Sequence, residues 1–306
     1  HKSVDEAEAA LVAYLGAEPK VPFHIYQMRM ALALAQRKAK QHERALAHAA
    51  AAFESAQAAD PEDRSARGSR DQQIVDSGAL LSDVYQDLKK KEEAQAVVLR
   101  LYNVALDLPS ASLYRAVARR FAGKEREARA AREAEAVAGR AKAAPELTIA
   151  EWLDQPPVTL SELRGNVVLI DFWYEWCGPC RAAFPALKGW HKKYKDKGLV
   201  VIGLTDYQRT LGDSGMSEEQ KLEWLRKFKA DEKLPYPFAV AKRPGDNQTA
   251  YGVSAYPTAM LIDRRGVIRH ISIGVSPQEL DELGGIIEKL IKESAAAGGP
   301  AAAANQ

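Results

Sequence analysis

Cys177 and Cys180 are the only two cysteines in the chain, and they stand in the order Cys-Gly-Pro-Cys. Two thiols this close in sequence cannot build a structural disulfide framework, so they point to chemistry at sulfur. A disulfide exchanges by thiolate attack, which requires one thiol to be partly ionised near neutral pH. Asp171 lies upstream, inside the apolar run Val167-Val-Leu-Ile-Asp-Phe172. A carboxyl buried there without a charged partner has a raised pKa. The competing expectation is an Asp at a strand end, turned to solvent.

The elements that must position these groups are legible around them. The apolar run before the cysteines suits a buried strand, and Arg181-Ala-Ala-Phe-Pro-Ala-Leu187 after them suits a helix. Cys177 falls at the expected start of that helix, where free N–H groups and the helix dipole favour a negative sulfur. Pro179 suits the first turn, where its missing N–H costs nothing. The i, i+3 spacing puts Cys180 on the same helical face. Cys177 is therefore expected to be the exposed nucleophile and Cys180 the more buried resolving thiol.

The whole chain bounds what else it can be. Its 306 residues make two domains the expectation, and 46% hydrophobic with 27% charged residues is an ordinary globular composition. A net charge of +2 gives no push toward nucleic acid or an anionic membrane. No apolar run approaches the roughly 20 residues needed to span a bilayer. The chain starts at His1 with no Met and no signal-like stretch, as expected of a mature or trimmed form.

Residues 1–140 are rich in helix formers, with Pro and Gly at intervals, and are expected to be all-α. The stretch from Leu81 to Ala94 aligns with that from Leu113 to Ala128, which puts Ala94 and Ala128 34 residues apart; an earlier copy runs through Ala45. This resembles the tetratricopeptide repeat, whose helical hairpins have a 34-residue period. Residues 62–73 are expected to be an inserted polar loop. Two expectations stay open: a repeat array that docks a protein partner, or a helical packing domain without a groove.

Past Pro145, β-rich runs at 167–172, 199–205, 236–241, 258–262 and 267–273 alternate with helical patterns at 180–195, 218–229 and 277–293. Two nearly continuous apolar runs joined by a helix predict neighbouring parallel strands, and Asp263-Arg-Arg-Gly266 predicts a hairpin turn. The expected layout is a helical-repeat-like domain over 1–140, an α/β domain with mixed sheet over 141–294 and a disordered tail over 295–306.

Asp171-Phe-Trp-Tyr-Glu-Trp-Cys-Gly-Pro-Cys180, with Tyr256-Pro257-Thr258 before a strand and Gly274 after the last one, resembles the thioredoxin superfamily. The segment from Ala144 to Leu169 and the insertion over 218–241 resemble its TlpA/ResA-like branch, usually an exported group. The resemblance implies a thioredoxin fold with a central insertion, a cis peptide before Pro257 and a proton-relay role for Asp171. It also implies a substrate groove made by Trp176, Gly178, Pro179, Tyr256 and Pro257. Ala183 stands where that branch often carries a buried glutamate, and Glu175 is expected to be exposed. The pairing of Asp171 with Gly178-Pro179 looks more like thioredoxin itself, which favours a reducing pair nearer about −270 mV than about −120 mV.

The expected activity is that of a thiol-disulfide oxidoreductase with no cofactor beyond the redox-active Cys177–Cys180 pair. Its partners would be protein disulfide substrates, an upstream thiol donor protein and a protein docked by the helical half. Its setting would be the bacterial periplasm or cell envelope. Zinc at the two cysteines would need further ligands, and the six histidines offer no suitably spaced pair after them. The rival expectation is a binding scaffold in which the redox pair only regulates.

Overall fold

A computed structural model describes residues 2–16, 21–58, 66–207, 215–243 and 245–293. The tail expected to be disordered and most of the loop after residue 207 lie outside the described residues. Contacts divide the chain into two compact units. The first holds residues 1–105 and 112–131, and the second holds residues 106–111 and 132–306.

The first unit is helical throughout its described residues. It is built from α1 (Lys2–Gly16), α2 (Pro22–Lys38), α3 (His42–Ala58), α4 (Ala66–Asp87), α5 (Lys91–Asp107), α6 (Ala111–Arg120) and α7 (Glu125–Val137), the last three of which continue into the second unit. Ala45, Ala94 and Ala128, at the fourth positions of α3, α5 and α7, are all buried. An alanine there lets a helix approach its neighbour closely because it has almost no side chain to separate the two axes. The polar loop expected over 62–73 is not one: from residue 66 onward it is the start of α4. The polar residues are accommodated because Arg70 and Asp71 pair at 3.0 Å within the interior, and Ser112 donates to Asp71 Oδ2 at 2.8 Å.

The second unit is a mixed sheet of β1 (Ile149–Leu153), β2 (Val167–Phe172), β3 (Leu199–Asp206), β4 (Phe238–Ala241), β5 (Thr258–Ile262) and β6 (Ile268–Ile273), in the order β1-β4-β3-β2-β5-β6. β2 lies at the centre, parallel to β3 and antiparallel to β5. Its residues are buried without exception, as a strand covered on both faces requires. Asp263 closes the β5–β6 hairpin by accepting from the N–H of Arg265 and Val267 at 3.0 Å each. Gly266 completes that turn at φ +80, a conformation glycine adopts without penalty.

Alternation along β2 sorts its side chains. Val167 and Leu169 face a core shared with α8 (Gly178–Tyr194), α9 (Glu218–Asp231) and α11 (Pro277–Lys292). Asp171 has the same parity and so the same face. Phe172, on the opposite face, packs on Tyr251 at the end of the short α10 (Asp246–Ala250). This is the thioredoxin fold with an inserted helix, joined to an all-α half. The strand expected from residue 236 begins at Phe238, and β1 and α10 were not anticipated. β1 is an edge strand paired only to β4 and half exposed, so its sequence shows no clean alternation.

Arg132 fastens the entry to this unit. Its side chain is buried, with Nε donating to Ile268 O at 2.9 Å and an ion pair to Asp107 at 2.6 Å. Asp107 also accepts from the N–H of Lys142. Asp107 is only partly buried, so Arg132→Met, which removes its charged partner, is expected to cost about 2 kcal/mol. Urea unfolding of the full chain measures this, and an unchanged midpoint would show that the pair contributes nothing.

Candidate active site

The site grows from the junction of β2 and α8. Five residues link Phe172 to Gly178. Trp173, Tyr174 and Glu175 are buried, and the exposure expected for Glu175 is corrected: it keeps 9% of its surface. Trp176 alone in this link turns outward, at 59% exposed.

Cys177 is the N-cap of α8 in extended backbone, and Pro179 occupies the first turn. The sulfur of Cys177 accepts from the N–H of Cys180 at 3.2 Å. The two cysteines form a disulfide, with Cα atoms 5.2 Å apart. Cys177 retains 5% of its surface and Cys180 none. Cys177 is thus the more accessible of the two but is more enclosed than an exposed nucleophile, because its sulfur is turned onto the first turn of α8. Gly178 and Pro179 are exposed beside it.

The loop before β5 carries a cis peptide between Tyr256 and Pro257. Pro257 O accepts from the N–H of Gly274 at 3.0 Å, tying this loop to the end of β6. Tyr256 and Tyr174 pack edge to face at 4.8 Å, and Trp176 stacks on Tyr174 at 5.2 Å and 9°. The sequence-derived groove residues Trp176 and Tyr256 are therefore brought together through Tyr174, which sequence reasoning missed.

Asp171 is 2% exposed, and its Oδ2 has no protein hydrogen-bond partner among the described residues. Burial pushes its carboxyl up to about 7. Its cross-strand neighbours are Gly203 and Ala259. Gly203 leaves room there: a Cβ at that position would lie 2.9 Å from the Phe238 ring and 3.0 Å from Trp173 Nε1. Tyr236, on the same side of the sheet, is held neutral by burial first and by the proximity of Asp171 second.

A second buried carboxyl lies at the end of β3. Tyr174 OH donates to Asp206 Oδ2 at 2.5 Å, and Gln248 Nε2 donates to both, at 2.9 Å to Tyr174 and 3.1 Å to Asp206. The start of the long loop after β3 thus lies beside the redox loop. A polar residue closing an otherwise apolar strand was the available signal for Asp206; Gln248 offered none. Among the described residues no cluster of three or more His, Cys, Asp or Glu is arranged to hold a metal.

Comparison with known proteins decides the family of this half: the Redoxin family model matches residues 140–287. Residues 140–287 are a Redoxin domain. The chain is 33% identical over 163 residues to the protein DipZ of Mycobacterium bovis, a match covering 49% of this chain and 21% of DipZ. It is 29% identical over 142 residues to the thiol-disulfide oxidoreductase ResA of Bacillus thuringiensis, covering 46% of this chain and 74% of ResA. A crystal structure of a putative thiol:disulfide interchange protein DsbE from Chlorobium tepidum is 32% identical, with a TM-score of 0.40, covering 49% of this chain and 96% of that one. The helical half lies outside the Redoxin match, and no described helix is long and apolar enough to cross a membrane.

The raised carboxyl of Asp171 has a consequence for stability. In the unfolded chain it loses its proton near pH 4, in the folded Redoxin domain only near pH 7. Between those values the native state alone holds the proton, so stability falls as pH rises, and the loss is complete above 7. Asp171→Asn is expected to stabilise the oxidised protein at pH 8 by a few kcal/mol, since each pH unit separating the two values is worth about 1.4 kcal/mol. It should do little at pH 4. Urea midpoints across this range test the point; a variant parallel to the wild type at every pH would refute it.

Proposed function

We propose that the protein is a thiol-disulfide oxidoreductase that reduces disulfides of exported protein substrates. The observation that carries this reading is the Cys177–Cys180 disulfide at the N-terminus of α8, over the strand that holds Asp171. In the reduced enzyme the Cys177 thiolate is favoured by the Cys180 N–H and the start of the helix. It attacks one sulfur of a substrate disulfide, forming a mixed disulfide and expelling a substrate thiolate. Asp171 takes the proton of the Cys180 thiol. The Cys180 thiolate then attacks Cys177 Sγ, releases the second substrate thiolate and closes the disulfide. Two electrons have passed to the substrate, and the proton on Asp171 leaves to solvent or to a released thiolate. A dithiol donor protein restores the reduced pair.

The substrate chain would lie in the groove of Trp176, Gly178, Pro179, Tyr256 and Pro257, pairing with backbone beside the cis peptide as an added strand. The domain split at residues 140/141 belongs to this proposal, with the tetratricopeptide-like helical half docking a protein partner. Exposed Val12, Phe23 and Leu34 on its first two helices support that role. The exported setting rests on the resemblance of residues 144–169 to the TlpA/ResA-like branch. Cytochrome maturation and general thiol maintenance are both compatible with it.

Insulin reduction tests the activity. Cys177→Ser is expected to abolish turnover, and Cys180→Ser to accumulate the mixed disulfide. Asp171→Asn should slow resolution by about 100-fold at pH 7, the usual worth of a positioned general base. Rates for this variant equal to wild type from pH 6 to 9 would remove Asp171 from the mechanism. Thiol-independent behaviour with partner binding retained would favour the scaffold reading instead. A midpoint potential near about −270 mV fits a reductant, and one near about −120 mV an oxidant.

A further inference from the structure

The proposed chemistry makes no use of the buried group around Tyr174. Tyr174 and Asp206 are fully buried and Gln248 nearly so, yet all three project polar atoms into one cluster beside the redox loop. Burying a carboxyl, a phenol and an amide is unfavourable unless each is satisfied by the others. Here the phenol hydroxyl is the hub: it donates to Asp206 and accepts from Gln248, and it also interacts with the hydroxyl of Tyr256. A ring bonded in this way at its far end cannot swing. Trp176 stacks on this ring, and Tyr256 packs edge to face with it.

The consequence is an aromatic wall whose outermost member, Trp176, is open to solvent immediately before Cys177. An exposed indole backed by a fixed ring is a preformed apolar surface, which binds a large side chain without first having to order itself. We propose that Asp206 and Gln248 are positioning residues for substrate choice: by locking Tyr174 they hold Trp176 and Tyr256 to receive an extended protein chain that carries an aromatic or large aliphatic side chain next to its cysteine. This rests on the oxidoreductase reading above. Asp206 and Gln248 act through Tyr174, to which both are hydrogen-bonded.

The test compares two disulfide peptides, identical except for Phe or Ala beside the cysteine. Wild-type turnover of the Ala peptide reports the activity itself, and its absence would sink the oxidoreductase reading rather than this one. With turnover present, the Phe peptide is expected to have the lower KM. Asp206→Asn should raise KM for the Phe peptide by about 10-fold, the usual effect of disrupting one buried hydrogen bond. It should change KM for the Ala peptide far less, with the midpoint potential of the disulfide unmoved. Tyr174→Phe, which keeps the ring and drops the hydroxyl, should reproduce that pattern, and the double variant should add nothing further. Trp176→Ala removes only an exposed side chain and decides the matter even where a buried variant does not fold: it should bring the two peptides to the same KM. Equal KM values in the wild type, equal loss for both peptides in Asp206→Asn, a shifted potential, or selectivity surviving Trp176→Ala would each overturn the proposal.

Discussion

A carboxyl in the dry centre of a sheet keeps its proton to about neutral pH, and the redox half of this protein is arranged so that it can sit there. β2 is covered on both faces and flanked by β3 and β5, which removes water from Asp171. Gly203 across from it leaves room for the Trp173 and Phe238 rings that close the space. The same strand, continued through five residues, delivers Cys177 to the start of α8. Asp171 near the end of β2 and Cys177 at the start of α8 are therefore joined by a short, mostly buried link.

The redox loop is held from a second side by different physics. Beneath the sulfurs the environment is apolar and the carboxyl is held by desolvation. Beside them, Tyr174 is held by hydrogen bonds to Asp206 and from Gln248 Nε2, while Gln248 Oε1 is buried without a partner among the described residues. One arrangement sets the protonation state of a group; the other sets the position of a ring. Asp171 and Asp206 are both buried carboxyls at the active edge, yet of the two only Asp206 has side-chain donors directed at it among the described residues.

Much of this was legible in the sequence. The run 167–172, the cysteine pair and the hairpin at 263–266 have strong local signatures: continuous apolar character, a unique residue pair and turn chemistry. Strands 258–262 and 167–172 were expected with the bounds they have. Edge strand β1 was not, because one side of it faces solvent and carries Ala150 and Glu151. Residues 66–73 looked like loop because their polarity is satisfied in part by tertiary partners such as Ser112, 41 residues away from Asp71.

By itself, then, the sequence determined the chemistry: two cysteines at a strand-to-helix junction, an ionisable residue in the preceding strand, and a family likeness carried by a handful of local motifs. Local signals suffice because thiol exchange needs only a few neighbouring residues in a fixed order. Tertiary structure alone decided that Glu175 is buried, that Cys177 keeps little exposed surface, and that Tyr174 is anchored by Asp206 and Gln248, which lie 32 and 74 residues away along the chain. Hydrogen bonds over such separations leave no periodicity to read. They exist only once the sheet has set β3 and the segment before β5 beside the redox loop.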